Sequence, residues 1–266
     1  MESPANSQVI SHFDAIFLSP HLDDAALSCG GTIHRLTSSG QRVLVVTVMA
    51  GDASTAVLSP FAESLHQRWQ LKSGDLTDRR QEDIDACTVL KAQWLHWDIP
   101  DCIYRVDSTG KRPLYDSEES LFSEVNPLET DLINRIVHLM TALPDTEKIF
   151  IPLGMGHHVD HQLTRIAAEQ WKKPSSFAYY EEYPYAESSV AAHVPLELTA
   201  PWQSAVISLE QADIVIKTQA IACYKSQLST FYDGQEDMID SVTRYVTSVG
   251  GERFWAAKEE YFESLA

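Results

Sequence analysis

The amino-acid sequence predicts an α/β fold, and three observations carry that prediction. Apolar runs of strand length alternate with longer segments of helical period, the order expected of βα units on a largely parallel sheet. Runs such as VLVVTVM at 43–49 are almost continuously apolar, as strands covered on both faces are. Two dense polar clusters, SPHLDD at 19–24 and HHVDH at 157–161, each follow such a run and open a helix, where open parallel sheets place their ligands. The expected architecture is a Rossmann-like three-layer fold with a mostly parallel sheet, helices on both faces and C-terminal closing helices.

Asp14–Leu18 reads as the first buried strand, followed by a helix over 24–39 with Leu27, Gly31 and Leu36 facing inward and Gly40 as its stop. Residues 42–49 form the second strand. No clean period runs from Gly51 to Gly74, which reads as an irregular excursion with one short helix. Asp75 is the expected cap of a helix reaching Lys91, with Ile84, Cys87 and Leu90 as its apolar stripe. QWLHWDIP (93–100) is the third strand, and residues 101–126, rich in Gly, Pro and acidic groups, read as a loop insertion. A helix over 127–143 with Leu132, Ile136 and Leu139 on one side leads into a fourth strand, KIFIPLG. Leu163, Ile166, Ala167 and Trp171 have helical spacing, so His161 falls at the first turn of the next helix. SFAYYEEYPY supplies a fifth strand, and 209–227 and 236–262 read as closing helices split near Gly250–Gly251. With no repeat or linker in view, one domain over 1–266 is expected, its core at 14–228 and a helical extension at 229–266.

Composition narrows the function classes. A chain of 266 residues can bury a sizeable core without cross-links. Cys29, Cys87, Cys102 and Cys223 lie far apart with no CxxC pair, which argues against a thiolate zinc site and a disulfide framework. The N-terminal stretch lacks a basic segment leading into an apolar core, and no apolar run is long enough for a bilayer, so a cytoplasmic protein is expected. A net charge of −18 repels phosphate backbones and anionic lipid, which disfavours nucleic-acid and membrane partners. Acidity alone identifies no substrate, and self-association is left open.

The two polar clusters offer His21, Asp23 and Asp24 on one side and His157, His158, Asp160 and His161 on the other. A catalytic zinc site takes about three nitrogen or oxygen ligands and keeps a position open. Hydrolysis also needs a carboxylate to take a proton from water and a donor to stabilise an oxyanion, and the surplus residues could fill both roles. Helix capping by the aspartates, with histidines paired to them at the surface, is the competing reading of the same residues. SCGG after the first strand matches GxGxxG poorly and disfavours a dinucleotide site. Tyr179, Tyr180, Tyr183 and Tyr185 could floor a sugar site or simply pack in the core.

These motifs resemble a known family. His21-Leu22-Asp23-Asp24 resembles the PHPDD signature of the LmbE-like, or PIG-L, zinc-dependent N-acetylglucosaminyl de-N-acetylases, and His158-Val159-Asp160-His161 its HxDH signature. Arg79–Glu82 resembles the RxxE helix between them, and YKSQL at 224–228 the segment closing such domains. The resemblance implies His21, Asp24 and His161 as metal ligands and Asp23 as general base. It further implies His158 as the group that polarises the amide carbonyl, Asp160 as the carboxylate orienting His158, and Arg79 as a grip on substrate hydroxyls, although an ion pair with Asp83 would also occupy that arginine. The implied cofactor is Zn2+, with Fe2+ or another divalent metal equally suited to such donors. The implied reaction removes an acetyl group from an N-acetylated small molecule such as an N-acetylglucosamine-type conjugate. A non-sugar acyl substrate and a non-catalytic metal- or sugar-binding module are the alternatives. Leu22 stands in place of the family's proline, and Ala25 where many members carry glutamate; the second bears on which substrate is taken.

Overall fold

A computed structural model of the chain describes residues 12–53, 58–69, 77–173, 176–187, 202–257 and 260–263. The first apolar run forms β1 (His12–Ser19) and hands over through a short polar loop to α1 (Asp24–Ser38). There follow β2 (Val43–Thr47), α2 (Pro60–Arg68), α3 (Thr77–Val89), β3 (Gln93–His96), α4 (Glu118–Leu121), α5 (Thr130–Met140), β4 (Asp145–Pro152), α6 (Val159–Trp171) and β5 (Ala178–Tyr180). The chain closes with β6 (Gln203–Ile207), α7 (Gln211–Ile221), α8 (Lys225–Phe231), α9 (Gln235–Val249), β7 (Glu252–Ala256) and α10 (Glu260–Glu263). The strands lie in one seven-stranded sheet in the order β3-β2-β1-β4-β5-β7-β6. The first five are parallel, and β7 runs antiparallel to both β5 and β6.

Alternate residues of the central strands feed separate cores, as the period of a strand requires. Ala15, Phe17, Val43, Val45 and Phe150 pack against α1 and α3, while Ile16, Leu18, Val46, Ile149 and Ile151 face α5 and α6. The register pairs Phe17 with Phe150, and their rings stack 4.2 Å apart at 4°. That contact adds about 0.5–1.5 kcal/mol to simple burial and fixes β1 against β4. Two sheet halves diverge at this β1–β4 seam, so the strands' carboxyl ends open a crevice there.

The glycine pair after β1 serves packing. A Cβ on Gly31 would lie 2.3 Å from Leu209 Cδ1, so only glycine lets the segment leading into α7 approach α1 this closely.

The C-terminal third departs from expectation. Residues 252–256, read as helix within 236–262, form β7, and 203–207, given no element, form β6. Gly250 in a left-handed conformation (φ 85°) stops α9, after which burial alternates along β7. β6 lies at the sheet edge and is mostly exposed, so it carries no apolar stripe for a sequence reading to find. The extension beyond 228 is therefore helical only in part.

The 101–126 segment is mostly loop, as expected, but part of it turns into the interior. It begins with a 3-10 turn, Cys102–Tyr104, and buries Asp101, Tyr104, Arg105 and Tyr115. Cys87 and Leu90 are buried as expected and Ile84 only partly, and the buried face of α3 also takes in the polar Arg79 and Asp83 beside Ala86. Asp75, expected as the cap of that helix, lies outside the described residues.

Candidate active site

Both polar clusters stand at the carboxyl end of the β1–β4 seam. At the end of β1, Ser19 Oγ donates to the His21 carbonyl at 2.7 Å and accepts from Ala25 N at 3.0 Å. Asp24 Oδ2 accepts from His21 N at 2.8 Å, so the loop braces itself and fixes where the imidazole projects. At the end of β4, Gly154 (φ 89°) turns the chain, and Glu182, just past β5, accepts from Gly154 N at 2.6 Å and Met155 N at 3.0 Å. A Cβ on Gly156 would meet the Tyr185 ring at 2.5 Å; its absence lets that ring stand edge-on to His161, with centroids 5.8 Å apart. His158 caps α6, its Nδ1 accepting from Asp160 N at 3.3 Å.

Residues from the two clusters converge on one point. Asp24 Oδ2 lies 3.3 Å from His21 Nδ1 and 3.3 Å from His161 Nε2. A tetrahedral zinc site with bonds of about 2.0 Å has ligand atoms roughly 3.3 Å apart, so these edges fit a single divalent ion. The outward nitrogens are also engaged: His21 Nε2 meets Asp160 Oδ2 at 3.0 Å and His161 Nδ1 meets Glu182 Oε1 at 3.2 Å. Carboxylates behind imidazoles in this way are the usual supports of metal-ligating histidines. His21, His158 and His161 also place one nitrogen each within 4.8 Å of one another, so the donor set suits zinc or ferrous iron.

Electrostatics follow from this crowding. Burial opposes charge on His21, but Asp160 and Asp24, with Asp101 nearby, outweigh it and hold its pKa well above the ordinary value. Burial likewise opposes charge on His161, yet Asp24 and Glu182 raise it to about 9. Burial works against Asp24 too, but the two imidazoles keep it ionised far below the usual carboxylate range. Asp23 behaves oppositely: burial and the adjacent Asp24 push it up to about 7, against the pull of Arg79 and His21. His158 is driven down to about 3 by burial and by His21 and His161, so it stands as a neutral imidazole. With Nδ1 occupied as an acceptor, that neutral ring carries its proton on Nε2.

His21, Asp23, Asp24, Arg79 and His158 line a cavity of about 280 Å³ that Trp69, beside Arg79, and Phe122, edge-on to His158, also line. The Arg79 guanidinium lies over the Trp69 ring at 4.8 Å, and its buried Nε has no hydrogen-bond partner among the described residues. Asp83 is instead taken up by Thr47, His96 and Tyr224, at 3.1, 2.8 and 2.7 Å. Glu82 of the same helix holds Ser226 N and Oγ, tying the YKSQL segment to α3.

Some expected relations are absent. The Asp160 carboxylate orients His21 rather than His158, because its other oxygen is drawn to Arg105 Nη2 at 2.5 Å and its backbone N–H serves the His158 ring. Of the four tyrosines, Tyr185 lines the cavity, whereas Tyr179 and Tyr180 are core residues and Tyr183 packs on Tyr245. His157 points outward to Glu124. Glu182, Asp101 and Arg105 went unnoticed in the sequence, and the one available signal was Glu182's place after a strand run.

The sequence profile described as GlcNAc-PI de-N-acetylase matches residues 16–172, more than half of the chain and every residue of both clusters. The chain belongs to this PIG-L family. Among curated proteins it is similar to 2'-N-acetylparomamine deacetylase of Niallia circulans, 28% identical over 185 residues, which cover 64% of this chain and 66% of that relative's length. Among solved structures it resembles teicoplanin deacetylase Orf2 in a zinc-inhibited form, at 29% identity and TM-score 0.74 over 91% of this chain and 96% of that one. A deacetylase–teicoplanin complex matches at 28% identity and TM-score 0.76, over 92% of this chain and 99% of that one. The A40926 pseudoaglycone deacetylase Dbv21 matches at 27% identity and TM-score 0.69, over 92% of this chain and 96% of that one. The likeness to these PIG-L relatives thus extends past the profile match to cover most of the chain, Glu182 lying beyond the matched stretch. Among the described residues no helix is long and apolar enough to cross a membrane.

Proposed function

We propose that this chain is a metal-dependent de-N-acetylase that removes acetate from an N-acetylated amino-sugar conjugate. The observation that carries the reading is the placement of Asp24 Oδ2 at 3.3 Å from both His21 Nδ1 and His161 Nε2, with Asp160 and Glu182 behind the imidazoles. His21, Asp24 and His161 would hold Zn2+, or Fe2+ in its place. Such an ion, when bound, polarises an acyl oxygen and brings the pKa of water beside it to about 7.

The protein's own groups supply the proton transfers. Asp23 faces the cavity beside Asp24, where its carboxylate can take a proton from the attacking water and return it to the departing amine. His158 offers its Nε2–H to the oxyanion that forms on the acyl carbon, and its low basicity keeps it a donor of fixed tautomer. Arg79, over the Trp69 ring at 4.8 Å and lining the cavity, is placed to bind hydroxyl groups of the substrate. The wall of Phe61, Leu65, Trp69, Leu121, Phe122 and Phe231 is apolar and favours conjugates that carry an apolar group beside the sugar.

The test is acetate release from a panel of N-acetyl amino sugars, free and linked to aromatic or alkyl groups, by protein loaded separately with Zn2+ and Fe2+. Turnover that is lost on chelation and restored by one of the two ions is expected. Absence of turnover on the whole panel by protein that binds an ion tightly would favour the binding-module alternative.

A further inference from the structure

Behind His21 stands a buried chain of charges that begins in the aperiodic 101–129 segment. Arg105 is almost completely enclosed and spends each arm of its guanidinium on a different partner. Nη2 donates to Asp160 Oδ1 at 2.5 Å and Nη1 to the Pro100 carbonyl at 3.2 Å, while Nε lies 2.5 Å from Glu129 Oε1 as an ion pair without hydrogen-bond alignment. Glu129 in turn accepts from the Tyr115 hydroxyl, which takes the Asn126 N–H at 2.8 Å. At the inner end, Asp160 Oδ2 receives Cys102 N at 3.0 Å and faces His21 Nε2 at 3.0 Å. Arg105, Asp160, Glu129 and Tyr115 are all buried, at 6%, 0%, 3% and 1% exposure.

We infer that Arg105 is a positioning residue for the candidate metal site, fixing the Asp160 carboxylate and through it the orientation of the His21 imidazole. The inference rests on the reading of His21 as a ligand given above. Two carboxylates buried so close to one another repel, and an ion pair in such a place is retained only where its geometry is well satisfied. A planar fork meets that need with two aligned N–H bonds, to Asp160 and the Pro100 carbonyl, and a close charge contact to Glu129, and a lysine cannot reproduce it. Removing Arg105 frees Asp160 to rotate away from His21, and a ligand without its supporting carboxylate typically loses about 10–100-fold in metal affinity.

The variants are Arg105→Gln, Arg105→Lys, and Arg105→Gln with Glu129→Gln, the last removing a carboxylate that the single change would leave buried and unpaired. Two quantities are read on full-length protein: Zn2+ affinity by competition with a chromogenic chelator, and the exchange of the His21 imidazole N–H by proton–nitrogen NMR, assigned by its loss in His21→Gln. Affinity should fall about 10–100-fold per folded molecule in the Gln variants, with partial recovery in Arg105→Lys. The His21 N–H, slow to exchange in the parent, should exchange fast in both Gln variants. Unchanged affinity and unchanged exchange in the folded double variant would overturn the inference, whatever the thermal stability does. Should the parent bind no zinc, the metal-dependent reading fails, while the imidazole exchange, measured without metal, still decides the role of Arg105.

Discussion

The two sides of the cavity are built by different means. The side at the β1–β4 seam takes its chemistry from strand ends and helix starts: His21, Asp23 and Asp24 leave β1, and His158 and His161 open α6. The facing side comes from α2 and the 101–129 segment, which has little regular structure yet encloses Arg105, Glu129 and Tyr115. The difference separates two tasks. Rigid strand ends aim reacting groups to within fractions of an ångström, which hydrolysis demands, whereas an irregular segment can vary its apolar surface without disturbing them. The link between them is the Asp160–Arg105 pair, joining residues 55 positions apart.

If that division is right, substitutions on the seam side should strike turnover and those on the facing side should strike substrate affinity. Asp23→Asn is the strongest case: kcat should drop by about 10²–10⁴-fold, the range for a lost general base. Its metal content, measured by elemental analysis, should stay at the parent level, since no ligand is altered. A loss of metal in this variant would make Asp23 a ligand instead. His158→Ala removes the donor for the oxyanion and should lower kcat by about 10²–10³-fold with little change in KM, measured from initial rates. Glu182→Gln keeps the shape but weakens the hold on His161, and a fall of about 10–100-fold in metal affinity is expected in chelator competition.

Glu182 also marks the limit of what the sequence reveals. The β1 and β4 clusters are legible because each is a local pattern at the end of an apolar run, and their separation along the chain is erased by the pairing of Phe17 with Phe150. Glu181 and Glu182 are indistinguishable by type, yet neighbours leaving a strand point to opposite sides. Glu181 therefore pairs with Arg253 at 3.1 Å and Trp255 Nε1 at 2.9 Å, while Glu182 turns into the site. Arg105 carries no signal at all, because nothing periodic surrounds it and its partners come from distant segments. β6 fails for a related reason: a mostly exposed edge strand owes its existence to the strand beside it more than to its own pattern, while β7, between β5 and β6, is too short to stand out from the helix before it. The central strands, apolar on both faces, needed no such context.

Trp69→Leu gives the mildest and most discriminating outcome. The indole supports the Arg79 guanidinium from 4.8 Å and faces the cavity from the irregular side. A cation–π contact of this kind contributes about 0.5–2 kcal/mol, so freeing Arg79 should raise KM by roughly 2–30-fold. Leucine preserves the apolar wall, which confines the effect to the arginine, and kcat at saturating substrate should remain near the parent value. A sugar analogue lacking the hydroxyl that Arg79 grips should show the same KM in parent and variant. If instead Trp69→Leu lowers kcat as far as His158→Ala does, the facing side takes part in orienting the reacting groups, and the separation between an aiming side and a selecting side fails.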